Sequence, residues 1–156
     1  SAQSAPSQAA AKSKIGVYDS RAVALAYVAS KANNDAIADL QRQFKEAEAA
    51  KDAAKAAQIK EQGSKLQDLR HLQGFSNAPV DDILATIKDK LPAIAKGAGV
   101  EIIVSRIDFQ GPDVKTVDVT DKLAAEFQPS EKTLKSIEGI RKAPVYPMIQ
   151  ILGMKD

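Results

Sequence analysis

The chain has 156 residues, which suits one domain of ordinary size. Hydrophobic residues make up 44% of it but aromatic residues only 4%, and much of the apolar fraction is alanine, so the composition favours long helices over a thick core. The sequence has no Cys and one His, which excludes disulfides, Cys-ligated metals and sites built from several His. The formal net charge of +2 argues against a strongly basic nucleic-acid-binding protein.

The beginning of the chain has low complexity. Residues 1–13 are Ser, Ala, Gln and Pro apart from one Lys, and such a stretch buries too little apolar surface to offset its ordering entropy. We therefore expect a disordered N-terminal leader. It is either the start of a mature exported protein, left after removal of a signal peptide, or an arbitrary boundary of the sequence.

The first regular elements are a strand and a long helix. Residues 14–18 favour a strand, and Asp19 or Ser20 can cap the helix that follows. No Pro or Gly occurs from residue 21 to residue 62, and apolar positions recur at alternating spacings of four and three. The pattern predicts one continuous helix with a heptad seam, whose large residues are Ile37, Leu40 and Phe44.

A return arm follows the first break signals. Gly63 and Gly74 punctuate a short amphipathic stretch, and Pro79 suits the first turn of the next helix. That helix carries the clearest apolar period in the chain, and Pro92 must kink or restart it. Its apolar face consists of Val80, Ile83, Leu84, Ile87, Leu91 and Ile94. We expect this face to bury Ile37, Leu40 and Phe44 close to the body of the protein, with client contact by those three residues as the alternative.

The remaining elements are strands and short helices. Residues 100–106 and 114–119 alternate or are β-branched, and a turn at residues 110–113 predicts that they pair as a hairpin. Two short helices follow, the second capped by Ser130, and two prolines near the end predict an extended tail. The coarse order therefore predicts an α+β fold: a small antiparallel sheet body with a long projecting α-helical hairpin from about residue 21 to residue 98, and further short C-terminal helices.

No catalytic constellation stands out. His71 has no nucleophile at a fixed spacing, and most of the acids in the hairpin region lie at turns or caps, where Asp is common. We therefore expect no enzyme, no metal and no cofactor. Aromatic residues do not interleave with basic ones, which argues against nucleic-acid binding, and no run of about 18 apolar residues predicts a transmembrane segment.

Three segments resemble, in order, the Skp/OmpH family of periplasmic chaperones. Residues 14–20 resemble its opening strand, residues 99–104 the strand after its returning helix, and residues 113–123 its closing strand and helix start. The similarity covers about residues 14–127. It implies a periplasmic or otherwise exported holdase or scaffold. It also implies a homotrimer whose helical arms enclose unfolded or outer-membrane polypeptides. The chain departs from the family in a return arm broken at residues 74–79 and in a modest net charge.

The resemblance divides the chain into a body with its helical hairpin, residues 14–128, and a C-terminal helix and extended tail, residues 129–156. Contacts with clients are expected where the seam is thin and large apolar residues remain, at Leu66, Leu69, Leu72 and Phe75. The alternative function is a structural or interaction module of an oligomeric assembly, with one defined partner and no general chaperone activity.

Overall fold

The computed structural model describes residues 12–153, and nearly all of the predicted leader, residues 1–13, lies outside them. Within this range the strands are β1 Lys14–Val17, β2 Ile102–Val104 and β3 Lys115–Asp118. The helices are α1 Ser20–Val28, α2 Lys31–Ala49, α3 Ala53–Phe75, α4 Asp81–Ala85, α5 Leu91–Ala98, α6 Thr120–Ala125, α7 Glu131–Lys142 and α8 Met148–Leu152, with a 3-10 turn at Lys88–Lys90. The described chain is therefore mostly helical.

The sheet is small and parallel, so the predicted antiparallel sheet is wrong. β1 lies in the centre, and Ile15 is opposite Ile102 on one side and Thr116 on the other. The expected pairing of β1 with β2 does occur, but β2 and β3 lie at opposite edges and form no hairpin. The turn at residues 110–113 belongs to a connection that crosses from one edge to the other. Side-chain alternation specifies the two faces of a strand and leaves the direction of its neighbours open.

The predicted long helical hairpin is also wrong, because the helical stretch is divided at Ser30. The Ser30 hydroxyl donates to the carbonyl of Tyr27 at 2.5 Å and accepts from the backbone N–H of Asn33 at 3.3 Å. The Asn33 side-chain amide donates to the carbonyl of Val28 at 3.0 Å. These local hydrogen bonds end α1 and cap α2, as Ser and Asn do where they compete with the helical backbone.

A second division separates α2 from α3. Lys51 has a positive φ of 55°, and the Asp52 carboxylate accepts from the backbone N–H of Lys55 at 3.0 Å as the N-cap of α3. Since only residues 50–52 join the two helices and they pack against each other, α2 and α3 run antiparallel. The outgoing arm thus turns back at residue 51 rather than beyond Gly63, which lies inside α3.

α1 is the centre of the core. Its residues Ala22, Val23, Ala24 and Ala26 are fully buried. They pack in one cluster with apolar residues of α4, α5, α6 and α7 and with the inner side chains of the sheet, among them Ile83, Ile94, Leu123, Ile137 and Val117. The Tyr27 ring meets the Phe127 ring edge to face, with centroids 5.6 Å apart. A helix buried on nearly every side needs such cover from several elements.

The expected burial of Ile37, Leu40 and Phe44 against the return arm is wrong. Val80, Ile83 and Ile87 belong to the core around α1, whereas Ile37 is 41% exposed. Both faces have the correct period for a partner, but the break at Ser30 redirects α2 away from that core. The period of a face therefore identified its apolar residues without identifying what they pack against.

The C-terminal elements are tied to α1 by Arg21. Its guanidinium is paired with Asp19 at 2.9 Å and donates to the backbone carbonyls of Ala143 and Pro144, at 3.0 and 3.2 Å. The backbone N–H of Tyr146 donates to the carbonyl of Phe75, which anchors the segment before α8 on the end of α3. The sequence predicts an extended tail from residue 143 onward. The chain is extended only as far as Pro147, and α8 begins at the next residue.

Truncation of Ile83 tests this core. We expect Ile83→Ala to lower the free energy of unfolding by about 2–5 kcal/mol, because Ile83 is fully buried. Ile37→Ala should cost less than about 1 kcal/mol, and Ile149→Ala, at an 81% exposed position, should change little. Urea unfolding followed by circular dichroism measures all three. Equal losses for Ile37 and Ile83 would contradict the partly exposed position of Ile37 outside the core.

Candidate functional site

An open cavity of about 1430 Å³ lies among the described residues and is named the groove. Its walls are α1, α2, α3 and α7. The lining is chiefly apolar and includes Ala24, Leu25, Val28, Ile37, Leu40, Phe44, Ile59, Leu66, Phe75 and Ile140. Concave apolar surface of this extent is typical of a binding site.

The groove closes at one end and opens at the other. Near the connection between α2 and α3, Ala47 and Ile59 are buried, 3% and 7% exposed. Toward α1, Ile37 and Phe75 remain 41% and 47% exposed. Gly63 and Gly74 face the groove without a side chain, and a Cβ at either position would meet nothing within 4 Å. The lack of bulk at these positions leaves room between the helices.

Helical spacing places one face of α3 along the groove. Ile59, Gly63, Leu66, Arg70 and Gly74 follow one another at intervals of three and four residues, and all of them line it.

The four candidate client-binding residues do not form one surface. Leu66 and Phe75 line the groove, whereas Leu69 and Leu72 are half-buried on another part of α3. At about 100° per residue, Leu72 lies about 120° around the helix from Leu66, on the side away from Arg70. A spacing of three residues over nine positions drifts around an α-helix, so the four side chains cannot share one face. Client contact at these residues stays a prediction.

Sequence reasoning assigned other groove residues to a different role. Ile37, Leu40 and Phe44 were expected inside a helical hairpin, and Ile140 in the stripe of a short helix, yet all four line the groove. Their apolar period was the available signal. The signal did not show that the surface opposite them is open.

A polar network fixes the wall of the groove near α1. The Arg70 guanidinium donates to Gln73 at 2.7 Å and to Asp82 at 2.6 Å, and it lies 4.8 Å from the centre of the Tyr27 ring. Gln73 is fully buried and donates to the carbonyl of Pro79 and to Asp82. These bonds hold the end of α3 against α1 and the first turn of α4. The wall is therefore fixed before any ligand binds.

The charge of the groove has one sign. Lys45, Lys60 and Arg70 line it together with the aromatic pair His71 and Phe75, whose ring centres are 6.2 Å apart, and no Asp or Glu is among the lining residues. Within residues 12–153, no group of three or more His, Cys, Asp and Glu side chains is placed to hold a metal ion. The arrangement of this site is suited to binding apolar surface beside negative charge.

Within the described range, no helix combines the length and the apolar character needed to cross a membrane. In comparisons with known proteins, no family model, curated protein or solved structure matches the chain. The resemblance to the Skp/OmpH family, the homotrimer and the export it implies therefore stay predictions.

Ionisation of the Asp82 carboxyl makes the stability of the groove wall depend on pH. Burial opposes its ionisation, but the hydrogen bonds from Arg70 and Gln73 and the charge of Arg70 outweigh burial and hold the pKa of Asp82 below its usual value. The ionised carboxylate therefore stabilises the fold above an unfolded-state pKa of about 4, and this contribution is lost as the pH falls through the folded-state pKa.

We expect Asp82→Asn to lower the free energy of unfolding at pH 7, and the difference from the parent to shrink below about pH 4. Asp89→Asn is the control, because Asp89 is 77% exposed and lies 3.7 Å from its partner Lys90. Urea unfolding of the three proteins at both pH values measures the effect. A constant difference between parent and Asp82→Asn across this range would contradict the role assigned to the ionised carboxylate.

Proposed function

We propose that the chain is a polypeptide-binding protein of the holdase or scaffold type, which holds an apolar segment of another protein in the groove. The observation that carries the proposal is the uncovered apolar lining between α2 and α3, beside a core that is otherwise closed around α1. Export to the periplasm is part of the same proposal and rests on the resemblance of residues 14–127 alone.

The size of the groove favours a polypeptide over a small molecule. Small-molecule sites usually measure about 300–1000 Å³, and this cavity is larger, about 1430 Å³. A helix about 10 Å across that filled the same volume would be about 18 Å long, or roughly 12 residues. A helix laid in an apolar groove is a common mode of peptide recognition.

The exposed groove residues supply the anchoring surface. Ile37 and Phe75 lie on opposite walls, α2 and α3, and both keep enough exposed surface to gain from burial by a ligand. Full burial of a fully exposed large apolar side chain contributes about 1.5–3 kcal/mol to binding, so Ile37 and Phe75, which are already more than half buried, contribute less than this each. Part of this gain is offset by the lost freedom of the two molecules, so we expect moderate affinity for many apolar segments.

The test is a double substitution in the groove. We expect Ile37→Gln with Phe75→Gln to fold as the parent does and to lose most of its suppression of client aggregation, because both positions are partly exposed in the fold. Light scattering by two or three unrelated unfolded proteins measures the suppression. The matched control is Leu134→Gln with Phe109→Gln, whose side chains are 50% and 85% exposed and lie outside the groove.

The outcomes separate the two functional classes. Loss in the groove variant with retention in the control supports the proposal. Equal loss of suppression in both variants means that suppression depends on exposed apolar surface in general. This result would contradict the assignment of the groove as the binding site. A parent that suppresses no aggregation but binds one protein saturably favours the module with one defined partner.

A further inference from the structure

The charges of the groove lead to a more specific occupant, on the assumption that the proposed function is correct. We infer that the bound segment is an amphipathic helix with acidic residues in the terminal turn that lies beside Lys45 and Lys60. This identifies the occupant by its chemistry: an apolar stripe for the walls and negative charge at one end.

The shape of the groove supports the helical form. Two antiparallel helices, α2 and α3, make its long walls, and the positions that line the groove recur on each mainly at intervals of three and four. A third helix with the same period can place its apolar side chains between those of the walls. An extended strand would need backbone hydrogen-bonding partners, but the backbone of both walls is already hydrogen-bonded within helices.

The placement of the lysines supports the acidic end. Lys45 is on α2 and Lys60 on α3, and both lie toward the connection at residues 50–52, so they flank the same end of the groove. Neither has a carboxylate partner within 4.0 Å among residues 12–153. At the other end, the Arg70 guanidinium is already bound to Asp82. The positive charge available to a ligand therefore lies at the connection end.

The experiment uses two synthetic peptides of about 14 residues with the same leucine stripe. One carries three Glu in a terminal turn and the other three Lys, and fluorescence anisotropy measures their affinities for the whole chain. We expect the Glu peptide to bind about tenfold more tightly to the parent, and the preference to weaken with added salt. Lys45→Glu with Lys60→Glu should reverse the preference.

A control with the same change in net charge is Lys115→Glu with Lys122→Glu, since both positions are exposed and neither lines the groove. It should keep the preference of the parent. If it reverses the preference as well, the charge of the whole protein is responsible and the inference is overturned.

The remaining outcomes distinguish this inference from the proposed function. One outcome is that both peptides bind the parent with equal affinity and lose that binding in the Ile37→Gln, Phe75→Gln variant. The groove then binds polypeptides, but the inference that its occupant has acidic residues at one end is overturned. If neither peptide binds while the parent suppresses aggregation, a helical occupant is overturned. If neither peptide binds and no aggregation is suppressed, both proposals fail.

Discussion

The burial of α1 on nearly every side is the constraint on which the rest of the structure depends. Small side chains at Ala22, Ala24 and Ala26 let neighbouring elements approach closely. The side chain of Val23 is also fully buried in the same cluster. A nine-residue helix is marginal by itself in water, so its stability comes from the elements that cover it. The sheet and helices α3–α7 supply that cover, and Arg21 fastens its first turn to the chain beyond α7.

The same arrangement leaves the groove open. Large apolar residues of the elements around α1, such as Ile83, Leu123 and Ile137, are buried in the core, whereas Ile37, Leu40 and Phe44 of the groove lining lie outside that cluster. At the connection end of this helix pair Ala47 and Ile59 are buried, while Phe44 and Leu66 line the groove. An apolar face of this kind costs solvation free energy until a partner covers it, and the proposed function in binding rests on this face.

Polar contacts keep this open site in one shape. Arg70, Gln73 and Asp82 join the end of α3 to α4 by charge-assisted hydrogen bonds at 2.6–2.7 Å, next to the ring of Tyr27. A wall held in this way needs little rearrangement when a ligand binds, and pre-organisation reduces the entropic cost of association. Lys45 and Lys60, which have no carboxylate partner among residues 12–153, lie at the other end, so the proposed charge selection and the fixed wall belong to different ends of the groove.

The sequence by itself determined what local chemistry decides. Strands at β1, β2 and β3, a helix restarted at Pro92, and the cap of α7 at Ser130 all follow from short-range signals. It also marked Leu66, Leu69, Leu72 and Phe75 as apolar candidates for client binding, and that stays a prediction, although only Leu66 and Phe75 of the four line the groove. The tertiary structure decided the rest. Strand direction depends on the path of the connections. The Ser30 division occurs in a run of helix-forming residues because side-chain hydrogen bonds and the packing of α1 outweigh helix propensity. Whether Ile37 faces a core or an open groove depends on where distant helices settle, and a periodic pattern contains no information about that.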